Sequence, residues 1–262
     1  MFRLLKARCE HNKNNDMESI MKKITAFFTA CALALLGGNL HADDHTSDGN
    51  IVGFVYSFNV TDPGAVVGAL TDYWNSPVGK KNPATVILRQ HISNGTDPST
   101  HSIAVVYDSL AQIDETNALN NGTKEMQAFL TKMSSAATLI SEGMFMGTGI
   151  TSGNAEIVPA PGRYTSATSV AVSDPAAYVA AWQTFTGASN NDRGATNLFG
   201  INGNGEDATT HVVTVSANSM EDLLTPSSDQ QEAFATFLSD VKDIRTIENR
   251  AIFVDLMVFG NN

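Results

Sequence analysis

Cysteine is scarce: the chain has two, Cys9 and Cys31, and both precede residue 43. Beyond that point disulfides, thiolate metal sites and a cysteine nucleophile are excluded, so the packed core alone must stabilise the fold. Basic residues are also few, 16 against 27 acidic ones. Such a surface repels polyanions, and no arginine-rich or aromatic-interleaved stretch argues for nucleic acid as a partner. The sequence also lacks a two-histidine metal spacing on a helix, a Gly-x-Ser-x-Gly elbow, a Walker loop and a dinucleotide fingerprint. No calcium loop with alternating carboxylates and a terminal glutamate is present. No metal site is expected.

Long hydrophobic runs are missing except near the start. Met21, Lys22 and Lys23 precede an apolar stretch from Ile24 to Leu36, which Gly37 and Gly38 end. A basic head, an apolar run and small Ala42 at the cut form a secretory signal over residues 21–42, behind an upstream extension. The run is shorter than the roughly 18 residues a membrane span needs, and Asp43 and Asp44 follow at once. Cys31 makes a poor lipobox. The mature protein is expected to start near Asp43, in the periplasm or outside the cell, with no membrane contact after cleavage. The first 42 residues carry six basic and three acidic groups, so the remainder holds 10 against 24, a charge of about −14.

The remainder is written twice. Val60-Thr61-Asp62-Pro63 returns as Val172-Ser173-Asp174-Pro175, an offset of 112. Asn94-Gly95-Thr96-Asp97-Pro98-Ser99-Thr100-His101 returns as Asn204-Gly205-Glu206-Asp207-Ala208-Thr209-Thr210-His211, an offset of 110. Ala128-Phe129-Leu130 and Met144-Phe145-Met146 answer Thr236-Phe237-Leu238 and Ile252-Phe253-Val254 at 108. Co-linear matches with a slowly drifting offset indicate duplication with loop deletions.

Each copy has the same element order. Val52, Phe54, Tyr56, Phe58 and Val60 alternate with smaller or polar residues and predict a strand. Asp62 followed by Pro63 is an N-cap with proline in the first helical turn. Residues 84–93 and 101–108 predict a hairpin around Asn94-Gly95. Residues 110–137 predict a helical region broken at Asn121-Gly122, and 138–148 a fourth strand. The second copy predicts strand 164–172, helix 174–186, strands 195–202 and 210–217, helix 227–243 and strand 246–259. Repeats are expected over 43–150 and 163–262, joined by a Gly/Pro linker at 151–162.

Strand, helix, strand, strand, helix, strand is the ferredoxin-like unit. Two in tandem over about residues 51–260 resemble the dimeric α/β-barrel superfamily, with an α+β pseudo-dimer formed inside one chain and its two sheets face to face. The resemblance implies cofactor-free monooxygenases, haem proteins or small-molecule binders as relatives. Chlorite dismutases and dye-decolorising peroxidases in that group hold haem through a histidine on a helix. The helices expected after residue 42 contain no histidine, and the peroxidases' Gly-x-x-Asp-Gly motif is absent. Haem is therefore not expected, nor any other cofactor.

Candidate site residues follow from the repeat and from its divergence. Asn94, Asp97 and His101, with Asn204, Asp207 and His211, recur as a unit. An aspartate beside a histidine suits proton transfer. The same residue types suit turn formation, with Asn-Gly reversing the chain and Asp and Thr capping backbone groups. His101 shares a strand face with Ile103, Val105 and Tyr107, and His211 with Val213 and Val215. That face either lines the space between the sheets or packs on the helices. Tyr56, Arg89, His91 and Glu142 have Thr168, Phe199, Ile201 and Arg250 as counterparts, so a working half and a supporting half are expected. Arg89 and His91 share one face, either contacting an anionic or oxygen-rich ligand or simply meeting solvent.

The expected function is an exported small-molecule binder with Tyr56, Arg89, His91, His101 and His211 as polar contacts in the inter-sheet space. One alternative is a cofactor-independent oxygenase or isomerase using His91 or His101 as base. Another is a structural or interaction protein whose barrel is filled by Met144, Phe145, Met146 and their counterparts. Homo-oligomer formation through the outer sheet edges stays open.

Overall fold

The structure is a computed structural model, and it describes residues 51–188, 192–225 and 228–260. The signal and the cleavage site expected at 21–42 lie outside the described residues. The first copy contains β1 (Val52–Val60), α1 (Pro63–Asn75), β2 (Thr85–Ser93), β3 (His101–Tyr107), α2 (Leu110–Asn120), α3 (Lys124–Ala136) and β4 (Ala137–Gly153). The second contains β5 (Tyr164–Val172), α4 (Pro175–Ala188), β6 (Gly194–Gly203), β7 (His211–Ala217), α5 (Met220–Leu224), α6 (Ser228–Val241) and β8 (Arg245–Phe259). β4 is longer than expected: Thr151–Gly153, assigned to the linker, continue the strand by pairing with Ala195–Asn197 of β6. Among the described residues no helix is long and apolar enough to cross a membrane.

Local chemistry starts α1 and α4, and likewise α2 and α5, in the same way in both copies. Asp62 Oδ1 accepts from Ala65 N at 3.0 Å, and Asp174 Oδ1 from Ala177 N at 3.0 Å. Each carboxylate satisfies one of the backbone donors that a helix N-terminus leaves open. Ser109 and Ser219 cap α2 and α5 through Gln112 N and Asp222 N. Gly122, at φ +72°, separates α2 from α3 in a backbone region that side chains rarely adopt.

The eight strands close into one antiparallel barrel in the order β1, β3, β2, β8, β5, β7, β6, β4 and back to β1. Each copy supplies a four-stranded sheet. The two sheets are joined edge to edge along two seams, β2 with β8 and β4 with β6. The sheet edges left open for a second chain are thus used up within the chain: every strand has two neighbours, and closure removes free edges. β4 and β8, the long strands of each copy, each span from their own sheet into the other.

Helices pack on the outer face. In the first copy Val66, Ala69 and Leu70 of α1 and Met133 and Ala136 of α3 bury against Val52, Val86, Leu88, Ile103 and Tyr107. In the second copy Tyr178 and Trp182 of α4 and Phe237 and Val241 of α6 bury against Val170, Val172 and Leu198. Strand parity then sends the intervening residues of every strand into the lumen.

Candidate functional site

Register divides the sequence candidates between two faces. Tyr56 lies opposite Ile103 and Phe58 opposite His101, and Ile103 belongs to the core beneath the helices. Val170, another core residue, lies opposite His211. Tyr56, His101 and His211 therefore face the helices, not the lumen. The expectation that all five polar candidates converge in the inter-sheet space is corrected: of them, only Arg89 and His91 point inward.

The repeated loop is built as turn chemistry. Asn94 Nδ2 donates to the Ser99 carbonyl at 2.7 Å, and Asn204 Nδ2 to the Thr209 carbonyl at 3.0 Å. Asp97 Oδ1 accepts from Ser99 N and Asp207 Oδ1 from Thr209 N, both at 2.8 Å. His101 Nδ1 and His211 Nδ1 each lie 2.9 Å from the preceding threonine Oγ1. Those threonines accept from Val60 N and Val172 N at 3.0 Å, tying each loop to the end of β1 or β5. Neither aspartate reaches its histidine, because each is spent on the turn's own backbone. The His211 ring packs on Tyr178 at 5.8 Å between centroids. Burial lowers the pKa of both histidines, with His91 adding to the effect at His101.

Inside the barrel, at the β2/β8 seam, Arg89 lies opposite Asp255 and His91 opposite Phe253. Asp255 accepts from Arg89 Nε at 3.2 Å and from Arg163 Nε at 2.8 Å. The carboxylate side chain is fully buried, and the two guanidinium side chains are 14% and 9% exposed. Arg163 reaches the cluster because the backbone just before β5 continues the β8 ladder, with Asp255 N donating to the Arg163 carbonyl. The Arg89 guanidinium also sits 4.7 Å above the Phe253 ring. Desolvation lowers its pKa to about 10, opposed by Asp255 and reinforced by Arg163. It is a cation at neutral pH, so the cluster holds two positive charges and one negative.

His91 stands next along the same face. Its Nδ1 is 3.1 Å from Ser99 Oγ, 3.2 Å from Asn94 Nδ2 and 3.3 Å from the Ser99 carbonyl. Burial lowers its pKa, Ser99 and Asp97 oppose the shift, and Arg89 adds to it. The shift favours the neutral imidazole, and among the described residues its Nε2 has no partner.

The lumen is packed only in part: Ile87, Ser102, Ala104, Thr165, Ser216, Phe253 and Asp255 face it and are buried. Val55, Ser57, Ala167, Ser169, Asn197 and Phe199 point into a closed cylinder, yet each stays only half-buried. A packed interior would leave them no accessible surface. An eight-stranded barrel is just wide enough to be filled by side chains or to hold one small ligand. Of the residues expected to fill it, Met144 and Met146 pack against the helix-side core instead, opposite Phe54 and Val52. Phe145 points inward and meets Phe199 edge-on at 5.2 Å.

Asp255, Arg163 and Phe253 were not singled out in the sequence. One signal was available for Asp255, a lone carboxylate within the apolar run Ala251–Phe259, where burial demands a partner. Arg163 gave none, since Pro161-Gly162-Arg163 reads as a linker. Glu142 lies opposite Tyr56, with its Oε2 buried and without a partner among the described residues. Burial raises its pKa. Among the described residues no group of three or more His, Cys, Asp and Glu is placed to hold a metal ion.

No family model matches the chain, and no curated protein is similar to it in sequence. Solved structures are similar in fold. A protein assigned as a monooxygenase from Fusobacterium nucleatum subsp. nucleatum aligns with TM-score 0.58 at 12% identity, over 81% of this chain and 94% of that one. An anthrone oxidase-like protein aligns at 0.53 and 14%, over 83% and 93%. A variant chlorite dismutase from Candidatus Nitrospira defluvii, solved with cyanide, aligns at 0.50 and 11%, over 79% and 91%. At such identities the likeness is one of fold: the chain has the dimeric α/β-barrel fold, with both ferredoxin-like halves contributed by a single polypeptide.

Proposed function

We propose that the protein is an exported small-molecule binder whose ligand occupies the barrel lumen beside Arg89 and His91. The observation that carries this reading is the accessible lumen, half-buried side chains facing inward around a closed ring of strands. A ligand there meets charged groups on one wall, Phe145 and Phe199 on the opposite wall, and small or polar side chains such as Val55, Ser57, Ala167 and Ser169 between them, a mixed lining of the kind that holds small molecules. Tyr56, His101 and His211 face away from the lumen and are not contacts of such a ligand; the two histidines meet their loop threonines instead. The reading takes no haem, because the helices α1–α6 offer no histidine as axial ligand.

An oxygenase or isomerase without cofactor is the second reading, and His91 favours it. A neutral imidazole with a free Nε2 beside two cations could take a proton from an activated substrate and leave the resulting anion stabilised by Arg89. Turnover separates the two readings.

The test is native mass spectrometry, with an absorption spectrum, on the protein expressed from its full-length sequence and purified from the periplasm of a bacterial host. The expected result is a polypeptide beginning near Asp43 that carries a small-molecule adduct, lost on denaturation and reduced in Arg89→Ala. A polypeptide that retains nothing under any native condition overturns ligand binding. A Soret band overturns the cofactor-free reading, and recovery of the chain only from the cytoplasm, with residues 1–42 intact, overturns export.

A further inference from the structure

The duplication supplies an internal control for the charged seam. At the matching seam between β4 and β6, Phe199 stands where Arg89 stands, Ile201 where His91 stands and Gly147 where Asp255 stands. Ile51 takes the place of Arg163, and the same backbone contact survives, Gly147 N donating to the Ile51 carbonyl at 2.7 Å as Asp255 N donates to Arg163 at 2.9 Å. The fold therefore closes equally well without the ionic cluster. Around the ring of strands the two seams are four strands apart, so they form opposite walls of the lumen. Phe145 and Phe253 are counterparts and each wall keeps one; the walls differ in that one adds Arg89, Arg163 and His91 around Phe253 and the other adds only Phe199 beside Phe145.

The cationic wall is also incomplete. Each guanidinium spends its Nε on the single carboxylate of Asp255, and among the described residues the Nη donors of both meet no acceptor. A guanidinium presents several N–H groups in a planar fork that suits a carboxylate edge. Two cations against one anion, nearly withdrawn from water, leave one positive charge uncompensated.

Resting on the lumen reading above, we infer that the ligand is an amphiphilic monoanion, a small carboxylic acid with an aromatic or compact apolar body. Its carboxylate bridges the Nη groups of Arg89 and Arg163, which makes the cluster neutral. Its body lies across the lumen toward Phe145 and Phe199.

Benzoate, its neutral isostere benzamide and acetate serve as probes, with binding to the purified protein followed by calorimetry and by thermal shift. Benzoate should bind saturably and at least tenfold more tightly than benzamide, and acetate should bind more weakly than benzoate. Arg163→Gln leaves a charge-balanced Arg89–Asp255 pair, so it should fold; it should lose the preference for benzoate over benzamide. Phe199→Ala should weaken benzoate and leave acetate unchanged. Equal binding of benzoate and benzamide would show an occupied lumen but overturn the anion assignment. Binding of neither overturns the assignment as well; the mass spectrum of the purified protein then decides, by the presence or absence of another adduct, whether the lumen reading falls with it. The comparison of probes on the unmodified protein holds even if a variant fails to fold.

Discussion

At the residue scale, the buried ionic cluster has the sharpest consequences. Removing the charge of Asp255 leaves two guanidiniums facing each other almost without water, the situation in which breaking a buried pair costs about 3–5 kcal/mol. Urea denaturation of Asp255→Asn should show a loss in that range. Arg163→Gln should cost clearly less, since Arg89 and Asp255 still neutralise each other. Histidine burial gives a pH dependence. Desolvation lowers the folded-state pKa of His91, His101 and His211 below the ordinary histidine value of about 6.5. The unfolded chain therefore binds protons first as pH falls. Their stabilising contribution is present above about pH 6.5 and is lost as pH falls through the lowered values. A melting temperature followed from pH 7.5 down to pH 5 should decline, and the decline should be shallower in His211→Gln; an unchanged slope would contradict the burial argument.

At the scale of the element, duplication preserved the ends of helices and exchanged their faces. Asp62 and Asp174 make the same 3.0 Å cap, so Asp62→Ala and Asp174→Ala should each cost about 1 kcal/mol, measured by chemical denaturation. The packing between helix and sheet was redistributed. Where the first copy has Phe54, Tyr56 and Phe58 on β1 and Val66 and Leu70 on α1, the second has Ser166, Thr168 and Val170 on β5 and Tyr178 and Trp182 on α4. Bulk moved from sheet to helix while the layer stayed filled, as volume-conserving repacking permits. The element boundaries were readable from sequence because they depend on neighbours along the chain: alternation for strands, Asp-Pro and Ser caps for helices, Asn-Gly for the turns. The end of β4 was not, because Thr151–Gly153 are held in a strand only by β6, some 44 residues away along the chain.

At the scale of the whole molecule, the two repeats share one closed hydrogen-bonded ring. Neither sheet can leave without breaking both seams, so the halves should unfold together. Trp182 lies within the second copy, whereas Trp74 lies in the first and stacks on Phe259 at the end of β8, so the two report on the second half and on the first half with its seam. Urea transitions followed by fluorescence in Trp74→Phe and Trp182→Phe should each coincide with the far-UV circular dichroism of the same variant; a gap between the two probes would show that the repeats unfold separately. Among the described residues no strand edge is left for association with a further copy, which leaves the helix faces for it.

What the sequence determined by itself is local and repetitive: the order of elements, the duplication, the caps and turns, and the pairing of Arg89 with His91 on one strand face. Those follow from interactions within a few residues and from the two-residue period of a strand. Only the tertiary structure decided which face is lumen and which lies beneath the helices, because parity says which residues share a side and never what that side meets. It alone brought Arg163 and Asp255, 92 residues apart, to Arg89, and set Phe145 and Phe199 against them. Those contacts exist because two sheet edges close on each other, and ring closure is a property of all eight strands at once.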